Sequence, residues 1–158
     1  MRTKKMSTLI SVAVLALIGT LALNGSAAGA STTTGSDTTT TLRFHVEFSP
    51  FNLIDVGRPG FSDGDEIVFH DTLRQNGDRV GDELGSCVVV DEGGALANCT
   101  MVIRLARGNI TAQFANSPPP VKSLAVTGGT GAYRTVDGDG TLVEAGDGTG
   151  TLTLHLFR

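Results

Sequence analysis

The sequence predicts an all-β domain, eight antiparallel strands closed into an up-and-down barrel, on three observations. From Leu42 onward no apolar set recurs at i, i+3, i+4 and i+7 for the three turns a stable helix needs. Short runs of β-branched, aromatic and aliphatic residues come instead in eight segments, set apart by Gly, Asn, Asp and Pro clusters. With no helix to cover a sheet face, such strands on short connections would leave open edges, and closing the sheet on itself removes them. Two stacked four-stranded sheets are the alternative that the same pattern allows.

Ahead of the barrel come two segments of another kind. Arg2, Lys4 and Lys5 precede an apolar run from Leu9 to Leu23, and Ala28-Gly29-Ala30 supplies a small-residue cleavage site, so residues 1–30 read as a signal peptide and Ser31 as the mature N-terminus. Neither a lipid-anchor cysteine after the site nor a twin-arginine pair is present, and the product is expected to be secreted, with no membrane attachment once the signal is cut. Residues 31–41, "STTTGSDTTTT", hold no apolar group to offset their ordering entropy and read as a disordered linker. The barrel domain then spans residues 42–158.

Cleavage would remove three positive charges and no negative ones, taking the formal net charge from −4 to −7. The remaining cations are Lys122 and eight scattered arginines, so the basic footprint that nucleic acid or an anionic membrane requires is missing.

Strands are expected at 41–48, 65–74, 85–91, 95–106, 109–115, 121–127, 133–145 and 150–157. The last is the clearest: Leu152, Leu154 and Leu156 share one face, Thr151, Thr153 and His155 the other. In "RFHVEF" the same alternation groups Phe44, Val46 and Phe48 against Arg43, His45 and Glu47. His70 and His155 read as solvent-facing strand residues.

Cys87 and Cys99 test the pairing of two of these strands. A hairpin turning through Glu92-Gly93-Gly94, with Asp91 facing Ala95, sets Cys87 opposite Cys99 at a separation a disulfide accepts. Export would supply the oxidising compartment. The alternative is a free Cys87 lining a pocket; two cysteines without a neighbouring histidine do not make a zinc site.

The stretch "VTGGTGAYRTVDGDGTLVE", Val126 to Glu144, invites a phosphate or calcium reading, and both fail. "GGTGAY" has neither the Lys-Ser/Thr ending of a P-loop nor a following helix, and "DGDG" lacks the remaining ligands of a calcium loop. No cofactor or metal is expected. Gly128, Gly129 and Gly131 suit a tight strand connection, Tyr133 can fold over a barrel end, and Gly138 and Gly140 relieve crowding where a strand bends.

"GDEIVFHDTLRQNGDRVGDELGSCVVVD" and "LAVTGGTGAYRTVDGDGTLVE", in that order and spacing, resemble the allene oxide cyclase and dirigent superfamily, whose late G-G-T-G-[AL]-[FY] turn opens the seventh strand. The resemblance implies an eight-stranded barrel with an apolar cavity, often trimeric, that shapes a reactive small molecule while it cyclises or couples. It also implies site residues. Asp71, in "VFHDTLR", falls where dirigent proteins carry a cavity aspartate; Cys87 matches a cavity cysteine of the plant cyclases; Glu47 sits near their first-strand glutamate, although the surrounding Tyr-Glu-x-Asn-Glu pattern is absent. Asp71 and Glu47 are the catalytic candidates, and Phe44, Phe48, Phe69, Cys87, Phe114 and Tyr133 the substrate-binding ones.

Inside an apolar barrel, desolvation would disfavour ionised Asp71 and fit it to exchange protons near neutral pH; the rival placement is outward, beside Arg74. The expected function is that of a secreted barrel binding a small hydrophobic molecule, as isomerase, cyclase or coupling director. A carrier and a structural envelope protein are the alternatives. An acid facing the cavity favours the enzyme, a greasy cavity without acids the carrier, and a solid bore the structural role.

Overall fold

The computed structural model describes residues 38–158; the expected signal peptide, and the linker as far as residue 37, lie outside the described residues. The chain forms β1 (Thr40–Glu47), β2 (Asn52–Ile54), β3 (Glu66–Gln75), β4 (Asp78–Asp91), β5 (Leu96–Leu105), β6 (Gly108–Asn116), β7 (Val121–Gly129), β8 (Asp137–Glu144) and β9 (Thr149–Phe157). All pairings are antiparallel and run in chain order from β3 to β9; β9 then pairs β1, and β1 meets β3 to close the cylinder. The result is the closed eight-stranded barrel, with β2 as a short extra strand laid along the first part of β3 where β1 has already ended.

Alternation sorts each strand between bore and solvent. Phe44 and Val46 of β1 and Leu152, Leu154 and Leu156 of β9 point into the core, as the period-two pattern requires. Together with Leu73, Ile103, Ile110 and Val136 they pack the bore solid toward one end. Strand connections alternate between the two ends, so the turns at Asn76-Gly77, 106–107 and 130–136 share that packed end, while 48–65, 92–95, 117–120 and 145–148 share the other.

Local chemistry explains the turns. Asn76 and Gly77 both have positive φ (53° and 90°), the two-residue hairpin loop that Asn-Gly favours. At the packed end the β7–β8 connection is a single 3-10 turn, Gly131–Tyr133, rather than the start of the expected strand; its Ala132 N–H donates to Arg107 O at 2.8 Å. Gly129 is needed there because a Cβ would lie 2.4 Å from Asn109 O. Gly138, at φ 147°, passes His155 O so closely that a Cβ would lie 2.0 Å from it.

Two further boundaries differ from expectation. β4 begins at Asp78, not at residue 85, which adds a full half-strand to the wall. The β4–β5 loop holds four residues, 92–95, with Ala95 at φ 49°, because a bulge at Val90 shifts the register by one. Below that bulge the register is as expected: Cys87 faces Cys99 and the two form a disulfide with Cα atoms 4.0 Å apart.

Candidate active site

Where the core stops, the bore opens into a cavity of about 370 Å³, the size of a small-molecule site. Four rings contribute to its wall: Phe48 just past β1, Phe51 on the rim, Phe69 on β3 and Phe114 on β6. Phe69 has room because its cross-strand partner is Gly85, where a Cβ would come within 2.8 Å of the ring. Met101 and Leu142 floor the space, and the disulfide forms part of its side through Cys87. Cys87 is bridged, which overturns the free-thiol alternative, and as half of the disulfide it still lies in the cavity wall.

Into this apolar space point two carboxyl groups. Asp71 of β3 and Glu83 of β4 are register partners, so both side chains leave the sheet on the inner face side by side. Asp71 is 5% exposed and Glu83 1%. Asp71 Oδ1 accepts the Ser49 N–H at 2.7 Å, whereas Glu83 Oε2 is buried with no hydrogen-bond partner. Burial, and then the neighbouring Asp71 charge, push the Glu83 carboxyl up to about 8. Burial also raises Asp71, with the Ser49 N–H pulling the other way. The pair thus holds a proton at neutral pH, on Glu83, beside an Asp71 that is ionised more readily. One carboxyl is set to give a proton and the other to take one.

The next residue along the strand shows that environment sets these roles. Asp82 points outward, where Arg104 grips it through Nε (2.7 Å) and Nη2 (2.6 Å), and His70 Nε2 lies 3.0 Å away. Those partners hold its carboxyl well below the usual range.

Of the sequence-derived candidates, the structure brings Asp71, Phe48, Phe69, Cys87 and Phe114 to the cavity. Three lie elsewhere. Glu47 is on the outer face, its Oε1 2.7 Å from Arg74 Nε, as strand alternation requires; from there it cannot reach a guest. Phe44 sits in the solid core with Val46, four residues before Phe48, the inward residue that reaches the cavity. Tyr133 folds over a barrel end, but over the packed one, because the β7–β8 connection lies opposite the mouth. Glu83 was missed by sequence reasoning; the signal that would have found it is Asn76-Gly77, which starts β4 early enough to place Glu83 across from Asp71.

No protein-family model matches the sequence, and no curated protein matches it. Solved structures do. A pyocyanin demethylase superposes with a TM-score of 0.66 at 28% identity, over 74% of this chain and 99% of the other. A pterocarpan synthase dirigent protein, GePTS1, gives 0.61 at 18% identity over 77% and 89%. The Diels-Alderase AbmU from Streptomyces koyangensis gives 0.61 at 11% over 79% and 70%. What the last two share with the chain is the fold: the barrel has the architecture of a dirigent protein and of a Diels-Alderase.

Proposed function

We propose that this chain is an exported catalyst that encloses a small, largely apolar molecule and assists its isomerisation, cyclisation or coupling by moving a proton between Glu83 and Asp71. One observation carries the reading: the apolar cavity at the mouth of the bore has two facing acids in its wall. A carrier has no use for Glu83 Oε2, a buried oxygen without a partner, since desolvating a polar group costs about 1–3 kcal/mol when nothing bonds it. The similar structures are, by name, a demethylase, a synthase and a Diels-Alderase, three reactions on one barrel shape, which supports catalysis over carriage. The Cys87–Cys99 bridge supports an oxidising, extracytoplasmic location.

In this reading the apolar wall selects one conformer and excludes water, and most of the rate advantage comes from that restriction. Glu83 donates its proton where negative charge develops, and Asp71, oriented by Ser49 N–H, accepts one from the adjacent carbon or heteroatom. The test begins with mass spectrometry of small molecules retained by the purified protein. Asp71→Asn is expected to retain the same molecule and lose conversion by about 100-fold or more. Unchanged conversion in that variant would sink the catalytic role.

A further inference from the structure

We infer that the guest of this cavity carries a positive charge: an apolar molecule bearing a cationic or readily protonated nitrogen, seated among the phenylalanines and against Asp71 and Glu83. The inference rests on the small-molecule reading above and names the class of its ligand.

Charge is unbalanced inside the cavity. Its lining includes Asp71, Glu83 and, near the mouth, Glu144, and no lysine, arginine or histidine. The cations closest in sequence and register are committed elsewhere. Arg74 binds Glu47 and Arg104 binds Asp82, both on the outer face, and His70 stands outside with Asp82. Lys122 of β7 is the one cation turned inward among the described residues. Its Nζ donates to the Ser117 carbonyl and to Pro119 O at 2.5 Å, and lies 3.4 Å from Glu144 Oε2, so it staples the β6–β7 loop and answers only the rim carboxylate. The inner pair is left without a counter-charge.

A second, independent observation points to a ligand. Glu83 is 1% exposed, lines the cavity, and has an oxygen with no donor. Natural proteins rarely leave such an acceptor unpaired unless something absent completes it. The rings suit the same guest: Phe48, Phe51, Phe69 and Phe114 present π-systems that attract a cation, a contribution that grows with desolvation. A neutral hydrocarbon would bury against the rings and leave Glu83 Oε2 orphaned. An anion would meet two acids at short range in a low-dielectric space. At neutral pH the cation meets Asp71, the more readily ionised of the two, with the proton still on Glu83; above about pH 8 the pair carries two negative charges beside the guest.

Three near-isosteric probes separate the cases: 1-methylquinolinium (cation), 1-methylnaphthalene (neutral) and 1-naphthoate (anion), titrated against the disulfide-bonded protein by calorimetry. The cation is expected to bind at least about tenfold more tightly than the neutral probe, and naphthoate most weakly. Raising the pH from about 6 to about 9 should tighten the cation and leave the neutral probe unchanged, because Glu83 loses its proton over that range. Glu83→Gln should remove that pH dependence and shrink the cation's preference. Equal affinity for cation and neutral probe overturns the inference and leaves the apolar-guest reading standing. Failure of all three to bind overturns both.

Discussion

Glu83 has a cost in stability as well as the proton-donor role proposed for it. Its carboxyl titrates near 8 in the folded protein, against 4.5 as the ordinary value. The unfolded chain therefore gives up its proton at lower pH than the folded one, and folding stability falls as pH rises from about 4.5 to about 8. Below that window the group is neutral in both states and costs nothing; above it the loss is complete, on the order of 5 kcal/mol if the whole shift is realised. Glu83→Gln stays neutral throughout. In urea melts the variant is expected to be the more stable protein above about pH 8, with the gap closing as the pH falls toward 4.5. Parallel pH profiles for the two proteins would mean that Glu83 is not buried as a carboxylic acid. Asp82 acts in the opposite direction: its partners lower its pKa, so what it contributes is present at neutral pH and lost in acid.

At the scale of elements, β4 gathers most of the site. Along its inner face run Glu83, Gly85 and Cys87, which are in turn the acid, the space for Phe69 and the bridge to β5. The disulfide closes a loop of sequence separation 12, and chain entropy alone gives such a closure about 3 kcal/mol. Replacing both cysteines with alanine should lower the unfolding free energy by about that amount, read from the urea midpoint at unchanged slope. A loss under about 1 kcal/mol would place the bridge's role elsewhere. Cys87 opposite Cys99 was legible because hairpin register is arithmetic once a turn is found, and the Val90 bulge falls beyond both cysteines. β9 was legible because its three leucines meet a fully apolar part of the core. The first half of β4 was not. Asp78-Arg79-Val80-Gly81-Asp82-Glu83 holds one large apolar residue, Val80, because its inward positions also include a glycine and an acid, Gly81 and Glu83, and apolar alternation is lost there. Tyr133 was recognised as folding over a barrel end, yet which end is packed follows from where the large apolar side chains gather in the bore and not from the turn itself.

On the scale of the whole molecule, closure is unevenly secured. β3 and β4 pair over ten register positions and β1 and β9 over eight, but the β1–β3 seam has three: His45 with Arg74, Val46 with Leu73 and Glu47 with Thr72. Outside, the seam is reinforced by the half-exposed Glu47–Arg74 pair, a contact of the kind worth about 0–1 kcal/mol. At its mouth end the chain leaves the seam through Phe48 and Ser49, and Ser49 N–H reaches across to Asp71. The barrel is therefore expected to open first along this line, and the opening exposes one of the two acids. In native-state hydrogen exchange, the amides of residues 72–74 that face β1 should exchange well before those linking β4 to β5, where ten paired positions and the disulfide hold the wall. A guest lodged against Asp71 and the Phe48 ring touches both banks of the seam, so its binding should slow exchange there more than anywhere else in the barrel. Seam amides as protected as the β4–β5 set in the free protein would show that the cylinder has no such weak line, and that guests enter by the open mouth alone.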